Sequence, residues 1–414
     1  MTQPNTPPIT NILDEAGRIK SALLKIQAKV EAAASTAEAE LLKDCQSELG
    51  YNLEEAAPSA PQALINTRIA AVTPVITPQM LAAVLPVSDN SAHTTGQSRQ
   101  TIVDILDHRT PKLLVIVGPC SIHDPKGALE YAGHVRRWRE QYGDNLEIIM
   151  RAYMEKPRTE LGWKGFIYDP LLDESDDINL GIVATRLLAC QITDLGVPIA
   201  MERLNALTPQ YVNALVAYDT IGARNTTDQK SREYASGTSS PVGFKNTPEG
   251  SIEAAVQAVV SAKGGHAFLG MGMNGAPTQV NSIGNETAHV ILRGDAHGPN
   301  YSADHIAKTK QILLAKGLSP SIIVDASHGN SGKQADRQKI AVTDVSHQIA
   351  GGEAAICGVM IESNLVAGRQ KLGDPADLVY GQSITDACVG LDETEAMLAE
   401  LAEASARRSV AQNQ

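Results

Sequence analysis

The feature that most restricts the fold of this chain is a series of eight short apolar runs beyond Pro111, separated by longer segments that suit helices. The runs are Leu113–Val117, Glu147–Ala152, Pro198–Glu202, Thr220–Ala223, Pro241–Phe244, His289–Leu292, Ser321–Asp325 and Ala355–Ile361. Apolar runs of about four to eight residues bounded by turn signals are the pattern of strands buried on both faces, as in parallel sheets. Eight strand–helix repeats close into a (β/α)8 barrel, an α/β fold that routinely passes about 250 residues as one domain. A ninth apolar run, Ala267–Met271, is separated from a partner near Gln279–Ser282 by Gly272, Asn274, Gly275 and Pro277. That pattern predicts a β-hairpin inserted outside the barrel.

Ahead of the barrel the composition changes twice. Residues 1–10 are rich in Pro, Thr and Asn and read as a flexible tail. From Ile12 to about Glu48 the chain is rich in Ala, Leu, Glu and Lys, and Leu13, Ile19, Leu23, Ile26 and Val30 fall near helical spacing. A helix or helical hairpin is expected there. Pro58 and Pro61 interrupt it within Glu55–Ala63, and a mixed segment then leads to a helix at about Thr101–Leu106. The expected organisation is an N-terminal extension over 1–66, an arm over 67–110, and the barrel over 111–414 with its hairpin near 266–283.

Bulk properties exclude several classes. The chain has 414 residues, 43% of them hydrophobic and 20% charged, and a formal charge of -12, which gives no support to binding of nucleic acid or an anionic membrane surface. No apolar run nears the roughly 20 residues of a membrane span, and no basic-then-apolar signal opens the sequence. Five scattered cysteines, at 45, 120, 190, 357 and 388, are unlike a disulfide framework and read as reduced thiols in a cytoplasmic protein.

Chemistry in such barrels sits at the C-terminal ends of the strands. The first run is followed by Cys120 and His123, and the second carries Arg151 with Lys156, Pro157, Arg158 and Thr159 beyond it. The others lead to Glu202, Arg224, Lys245, Arg293, the segment Asp325–His328, and Glu362. Taken singly, Cys120 reads as an inert buried thiol and each Arg or Lys as a solvated charge. Charged residues closing one apolar run after another instead indicate convergence on one mouth. Arg151, Lys156, Arg158, Arg224, Lys245 and Arg293 are donors suited to phosphate and carboxylate oxygens. Cys120, His328 and Glu362 offer soft, intermediate and hard donors for a borderline divalent metal.

Several motifs together resemble the type I 3-deoxy-arabino-heptulosonate 7-phosphate (DAHP) synthases, most closely the amino-acid-regulated microbial subclass. They are Gly118-Pro119-Cys120-Ser121-Ile122-His123, Lys156-Pro157-Arg158-Thr159, Pro241-Val242-Gly243-Phe244-Lys245-Asn246, Ile291-Leu292-Arg293-Gly294, Gly358-Val359-Met360-Ile361-Glu362 and Tyr380 to Cys388. The resemblance runs from about Arg68 to the C-terminus. It implies one divalent ion (Mn2+, Fe2+, Co2+ or Zn2+) on Cys120, His328, Glu362 and Asp386. It implies a phosphoenolpyruvate site at Arg151, Lys156, Glu202, the Ala223 backbone, Arg224, Lys245 and Arg293, and an erythrose 4-phosphate site at Lys156, Pro157, Arg158, Thr159 and Asp386. Lys156, Glu202 and Asp386 are the expected catalytic groups, Lys156 as the acid and Glu202 positioning a water. A homodimer or homotetramer is implied.

Two departures fall at defined places. Asn225 intervenes between Arg224 and Thr226, where the family has Thr-Thr, and the hairpin lacks the Val-Thr-Lys of several relatives. The resemblance puts a feedback pocket for an aromatic amino acid at Gln210, Ser239, Gly270 and Val280, with Gly270 leaning toward Tyr over Phe. Two rival readings are a synthase of eight-carbon sugar acid phosphates, which the Lys156–Thr159 motif opposes, and an idle regulatory barrel, which the intact ligands oppose.

Overall fold

The computed structural model describes residues 11–49, 64 and 66–412. The tail expected at 1–10 and the interruption at Glu55–Ala63 lie outside the described residues. Strands β1 (Leu113–Gly118), β2 (Leu146–Arg151), β3 (Ile199–Glu202), β4 (Val216–Ile221) and β5 (Val242–Lys245) come first. The hairpin β6 (Ala267–Met271) and β7 (Pro277–Asn281) follows, then β8 (His289–Leu292), β9 (Ile322–Asp325) and β10 (Ile356–Glu362). The ring closes in the order β1-β2-β3-β4-β5-β8-β9-β10, all parallel, and β10 returns to β1 with Leu114 opposite Gly358 and Gly118 opposite Glu362. The hairpin stands outside the ring as an antiparallel pair. A further short pair, β11 (Val366–Arg369) and β12 (Gln382–Ser383), frames the last loop.

Side chains alternate along each strand, and the two sets build two cores. Val115, Val117, Ile148, Met150, Val242, Val290 and Val324 face outward under the helices. Leu114, Ile116, Ile149, Ala200, Ile291, Ile323 and Met360 face inward. The floor of the barrel is sealed by Ile102, Ile105 and Leu106 of α3 (Asp89–Leu106).

Two elements differ from the sequence reading. Strand β4 starts at Val216 rather than Thr220, because Asp219 interrupts the apolar run yet is buried, paired to Arg203 and accepting from Ser240. Helix α3 starts twelve residues before the expected Thr101, at Asp89. Its first half hides a buried polar face: Ser98 Oγ donates to Glu147 at 2.6 Å, and Ser91 Oγ to the Cys190 carbonyl at 3.3 Å.

Helix α5 (Ile178–Asp194) is buried from Leu180 through Ala189. A helix apolar on every face needs cover on every face. Part of that cover is α1 (Ile12–Leu49), one 38-residue helix rather than a hairpin. Ile12, Ala16 and Leu23 are buried, whereas Ile26 and Val30 are exposed. Lys20 Nζ reaches the Asp177 carboxylate at 2.5 Å. Among the described residues no helix is long and apolar enough to cross a membrane.

Leu23→Ala is expected to lower unfolding free energy by about 2–4 kcal/mol, and Val30→Ala by less than about 0.5 kcal/mol. Denaturant titration of both variants checks this; equal effects would show that α1 is not anchored through Leu23.

Candidate active site

The inward column that is apolar through most of the barrel turns charged at its last level. Above Ile149, Ala200, Gly243, Ile291, Ile323 and Met360 stand, two residues later in each chain segment, Arg151, Glu202, Lys245, Arg293, Asp325 and Glu362. A cavity of about 750 Å³ opens over this level, lined by Lys156, Pro157, Arg158, Thr159, Glu202, Ala223, Arg224, Lys245, Arg293, His328 and Asp386 among others. Gly222 leaves room beside it for the Glu202 carboxylate, since a Cβ there would lie 2.3 Å from Oε1 and displace it.

Ligand atoms of Cys120, Glu362 and Asp386 all lie within 4.8 Å of one another. His328 stands alongside, its Nε2 3.8 Å from Glu362 Oε1. Lys156 Nζ bridges the group, 2.7 Å from Cys120 Sγ and 3.3 Å from Asp386 Oδ2. Burial and then Glu362 push the Cys120 thiol up to about 12. Burial works against the Asp386 charge, but Lys156 and His328 overcome it and hold the carboxyl well below its ordinary range. A thiol, an imidazole and a carboxylate at the ends of β1, β9 and β10, with a second carboxylate from the loop after β12, fit a divalent cation, whose charge would bring the thiol to the thiolate form.

The cations divide into two tiers. Arg151 does not line the cavity but lies beneath it, 1% exposed, 3.1 Å from Glu362 Oε1 and 3.9 Å above the Tyr153 ring. Lys245 is buried 2.8 Å from Asp325. Arg224 and Arg293 reach the cavity itself, and Arg224 Nη2 donates to Thr159 Oγ1 at 2.8 Å, joining the β4 end to the Lys156–Thr159 loop. Burial lowers the Arg293 pKa, so an arriving anion is favoured there. Lys156 stays protonated: burial opposes its charge, but Cys120, Asp386, Glu362 and Glu202 together raise its pKa above the ordinary lysine range.

The four residues expected around the hairpin are arranged as two neighbours and two flanks. Gly270 and Val280 are side by side, since a Cβ on Gly270 would meet Val280 Cγ2 at 2.8 Å. Ser239 follows α7 (Gln229–Ser236), whose Ser236 hydroxyl lies 2.5 Å from Ser282 at the hairpin base. Gln210 is on α6 (Pro209–Val212), packed on α2 (Pro78–Val84), and Gln79 N of α2 donates to the Met273 carbonyl at the hairpin tip at 2.8 Å.

Sequence reasoning placed Asp325 at a strand end but gave it no role, and it passed over Tyr153 under Arg151 and Glu155 beneath Lys156. The signal available for Asp325 was parity, two residues beyond inward-facing Ile323. Glu155 is fully buried and accepts from Asn205 Nδ2 at 2.6 Å, Thr208 Oγ1 at 2.9 Å and Tyr168 Oη at 3.2 Å. Nothing in its neighbours marks it from sequence.

Fold and site together define a class: (β/α)8 enzymes that set a divalent-ion site beside anion-binding cations at the barrel mouth. Residues 85–399 match the DAHP synthetase I family. The Phe-sensitive phospho-2-dehydro-3-deoxyheptonate aldolase of Escherichia coli (strain K12) is 47% identical over 342 residues, covering 82% of this chain and 97% of that protein. The Tyr-sensitive aldolase of Salmonella typhimurium (strain LT2) is 43% identical over 340 residues, covering 82% and 95%. The solved structure of the aldolase from Francisella tularensis SCHU S4 aligns with a TM-score of 0.81 at 42% identity, covering 82% of this chain and 99% of that one. This chain belongs to the DAHP synthetase I family and is an enzyme that forms a carbon–carbon bond.

Burial pushes the Glu155 carboxyl from 4.5 up to about 7, against Thr208, Arg203 and Tyr168. A carboxyl raised on folding stabilises the folded state while protonated, fully below pH 4.5, and that advantage is lost as pH rises to about 7. The gap corresponds to about 3 kcal/mol. Glu155→Gln is therefore expected to gain about 3 kcal/mol over the parent between acid and neutral pH, read by denaturant unfolding across that range. A difference independent of pH would contradict the burial argument.

Proposed function

We propose that the chain condenses phosphoenolpyruvate with D-erythrose 4-phosphate and water to give DAHP and inorganic phosphate, the first step of the shikimate pathway, in the cytoplasm. The observation that carries this reading is the contact of Lys156 with both Cys120 and Asp386 at the edge of a cleft whose other wall is Lys245, Arg224 and Arg293. Cys120, Cys190, Cys357 and Cys388 are unpaired, which suits a reducing compartment. We read residues 1–66 as an appendage, 67–110 as the family's arm, and 111–414 as the catalytic unit.

Cys120, His328, Glu362 and Asp386 would hold the divalent ion, which when bound supplies Lewis acidity toward an aldehyde oxygen; Mn2+, Fe2+, Co2+ and Zn2+ all suit this donor set. Lys245, Arg224 and Arg293 bind the carboxylate and phosphate of phosphoenolpyruvate, and Arg151 supports them from below through Glu362. Arg158 and Thr159 hold the phosphate of the aldose. Two anions fixed in one cleft bring C3 of phosphoenolpyruvate to the aldehyde carbon, converting an encounter into an oriented reaction. Lys156 gives its proton to the aldehyde oxygen as the carbon–carbon bond forms. Glu202 positions the water that adds to C2, and the resulting hemiketal phosphate loses inorganic phosphate by cleavage of its carbon–oxygen bond.

The same reading includes feedback by an aromatic amino acid at Gln210, Ser239, Gly270 and Val280, in a homodimer or homotetramer. Relatives are named for sensitivity to Phe, Trp and Tyr, and Gly270 favours Tyr over Phe here. Phosphoenolpyruvate loss in the presence of erythrose 4-phosphate should stop on chelation and return with Mn2+. Lys156→Met should lower kcat about 10²–10⁴-fold, and near-normal turnover would remove its role as acid. Tyr should inhibit more strongly than Phe; a flat response to Phe, Tyr and Trp would end the feedback reading.

A further inference from the structure

Asp325 closes β9 with its side chain wholly buried; one oxygen holds Ser327 and the other lies between Lys245 and His328. Oδ1 accepts from Ser327 N at 3.0 Å and Ser327 Oγ at 2.6 Å. Oδ2 lies 2.8 Å from Lys245 Nζ and 3.0 Å from His328 Nδ1. Ser327 Oγ also lies 2.6 Å from His328 Nδ1. A hydroxyl has one proton, and here it is committed to Asp325, so Ser327 must accept in that contact and Nδ1 must donate. With the proton on Nδ1, the lone pair of His328 is on Nε2, the nitrogen that faces Glu362. That is the tautomer a metal ligand requires. The backbone that carries this carboxylate is fixed as well: Asn330 Nδ2 donates to the Asp325 main-chain carbonyl at 2.8 Å and to the Leu292 carbonyl at 3.2 Å, tying β9 to β8.

We propose that Asp325 is a positioning residue that ties the divalent-ion site to the phosphoenolpyruvate site: its carboxylate, acting directly and through Ser327, sets the tautomer of His328, and the oxygen beside Nδ1 also fixes the place of Lys245. This rests on the reading of the site given above. An amide at this position keeps one acceptor for Ser327 but turns an NH2 toward Lys245 and His328. Donor then meets donor at both contacts. The imidazole is driven to carry its proton on Nε2, which blocks metal binding, and Lys245 is pushed from its place. A carboxylate that merely held β5 to β9 would change stability without this joint loss.

The test uses the full chain stripped of metal, with Co2+ affinity read by chelator competition and phosphoenolpyruvate binding by calorimetry. Asp325→Asn should weaken Co2+ about 10–100-fold and weaken phosphoenolpyruvate at least about tenfold, whereas Lys245→Met should weaken phosphoenolpyruvate alone. Unchanged Co2+ binding in Asp325→Asn overturns the proposal, as does an equal Co2+ loss in Lys245→Met. If Asp325→Asn does not fold, the double variant Asp325→Asn with Lys245→Met, which leaves no orphaned charge, must bind Co2+ about 10–100-fold more weakly than Lys245→Met. Equal affinity in those two also overturns it. A parent protein that binds neither Co2+ nor phosphoenolpyruvate would instead sink the reading of the site, and the Asp325 proposal with it.

Discussion

Closure of eight parallel strands sends every second side chain into a column that water enters from one end only, because α3 seals the other with Ile102, Ile105 and Leu106. Charged residues on inward positions therefore gather at the open end whatever their distance in sequence, while Glu147 at the sealed end is matched by Ser98 and Arg139. Burial at the open end forces pairing. Arg151 meets Glu362 at 3.1 Å and Lys245 meets Asp325 at 2.8 Å. Removing one member of a buried pair strands the other at a cost of about 3–5 kcal/mol. Fold stability and site geometry are thus carried by the same contacts.

The mouth also reconciles an acidic protein with anionic ligands. A net charge of -12 acts through a solvent that screens over roughly 8–10 Å. Within the cavity, Arg224, Arg293, Lys245 and Lys156 line one space and act on its contents at contact distance, inside the screening length. Local charge decides binding there, while the overall charge governs long-range encounter and solubility.

Much of this was legible from the chain alone because the barrel writes its period into sequence. Runs buried on both faces are apolar throughout, so their ends stand out, and the polar residues that follow them name Glu202, Lys245, Arg293 and Glu362. What escaped was polarity satisfied inside. Asp219 shortened the reading of β4 because its pairing with Arg203 cannot be seen in sequence. The serines and threonines of α3 concealed half a helix for the same reason, their hydroxyls being matched to Glu147 and to backbone carbonyls. Arg151 was expected in the phosphoenolpyruvate site; it stands level with Glu362, whose carboxylate and the neighbouring Tyr153 ring receive it, and it does not itself line the cavity.

The appendage shows how a barrel can constrain sequence beyond its own repeats. Helix α5 has no polar face to give to water, so α3 and α1 must cover what the strands do not. On α1 the covering face carries Ile12, Ala16 and Leu23, with Lys20 joined to Asp177 just before the first turn of α5. Asp177 caps that turn through the Leu180 amide at 3.0 Å, and the segment ahead of it is the long β2–α5 connection that carries Lys156 to Thr159. One carboxylate thus serves both the cap and the ion pair, so the docking of α1 and the start of α5 share a residue. Ile26 and Val30 continue the same stripe but are exposed at the end of the docked part, where Gln27 is the last buried residue, so substitutions at Val30 are free of the barrel's packing.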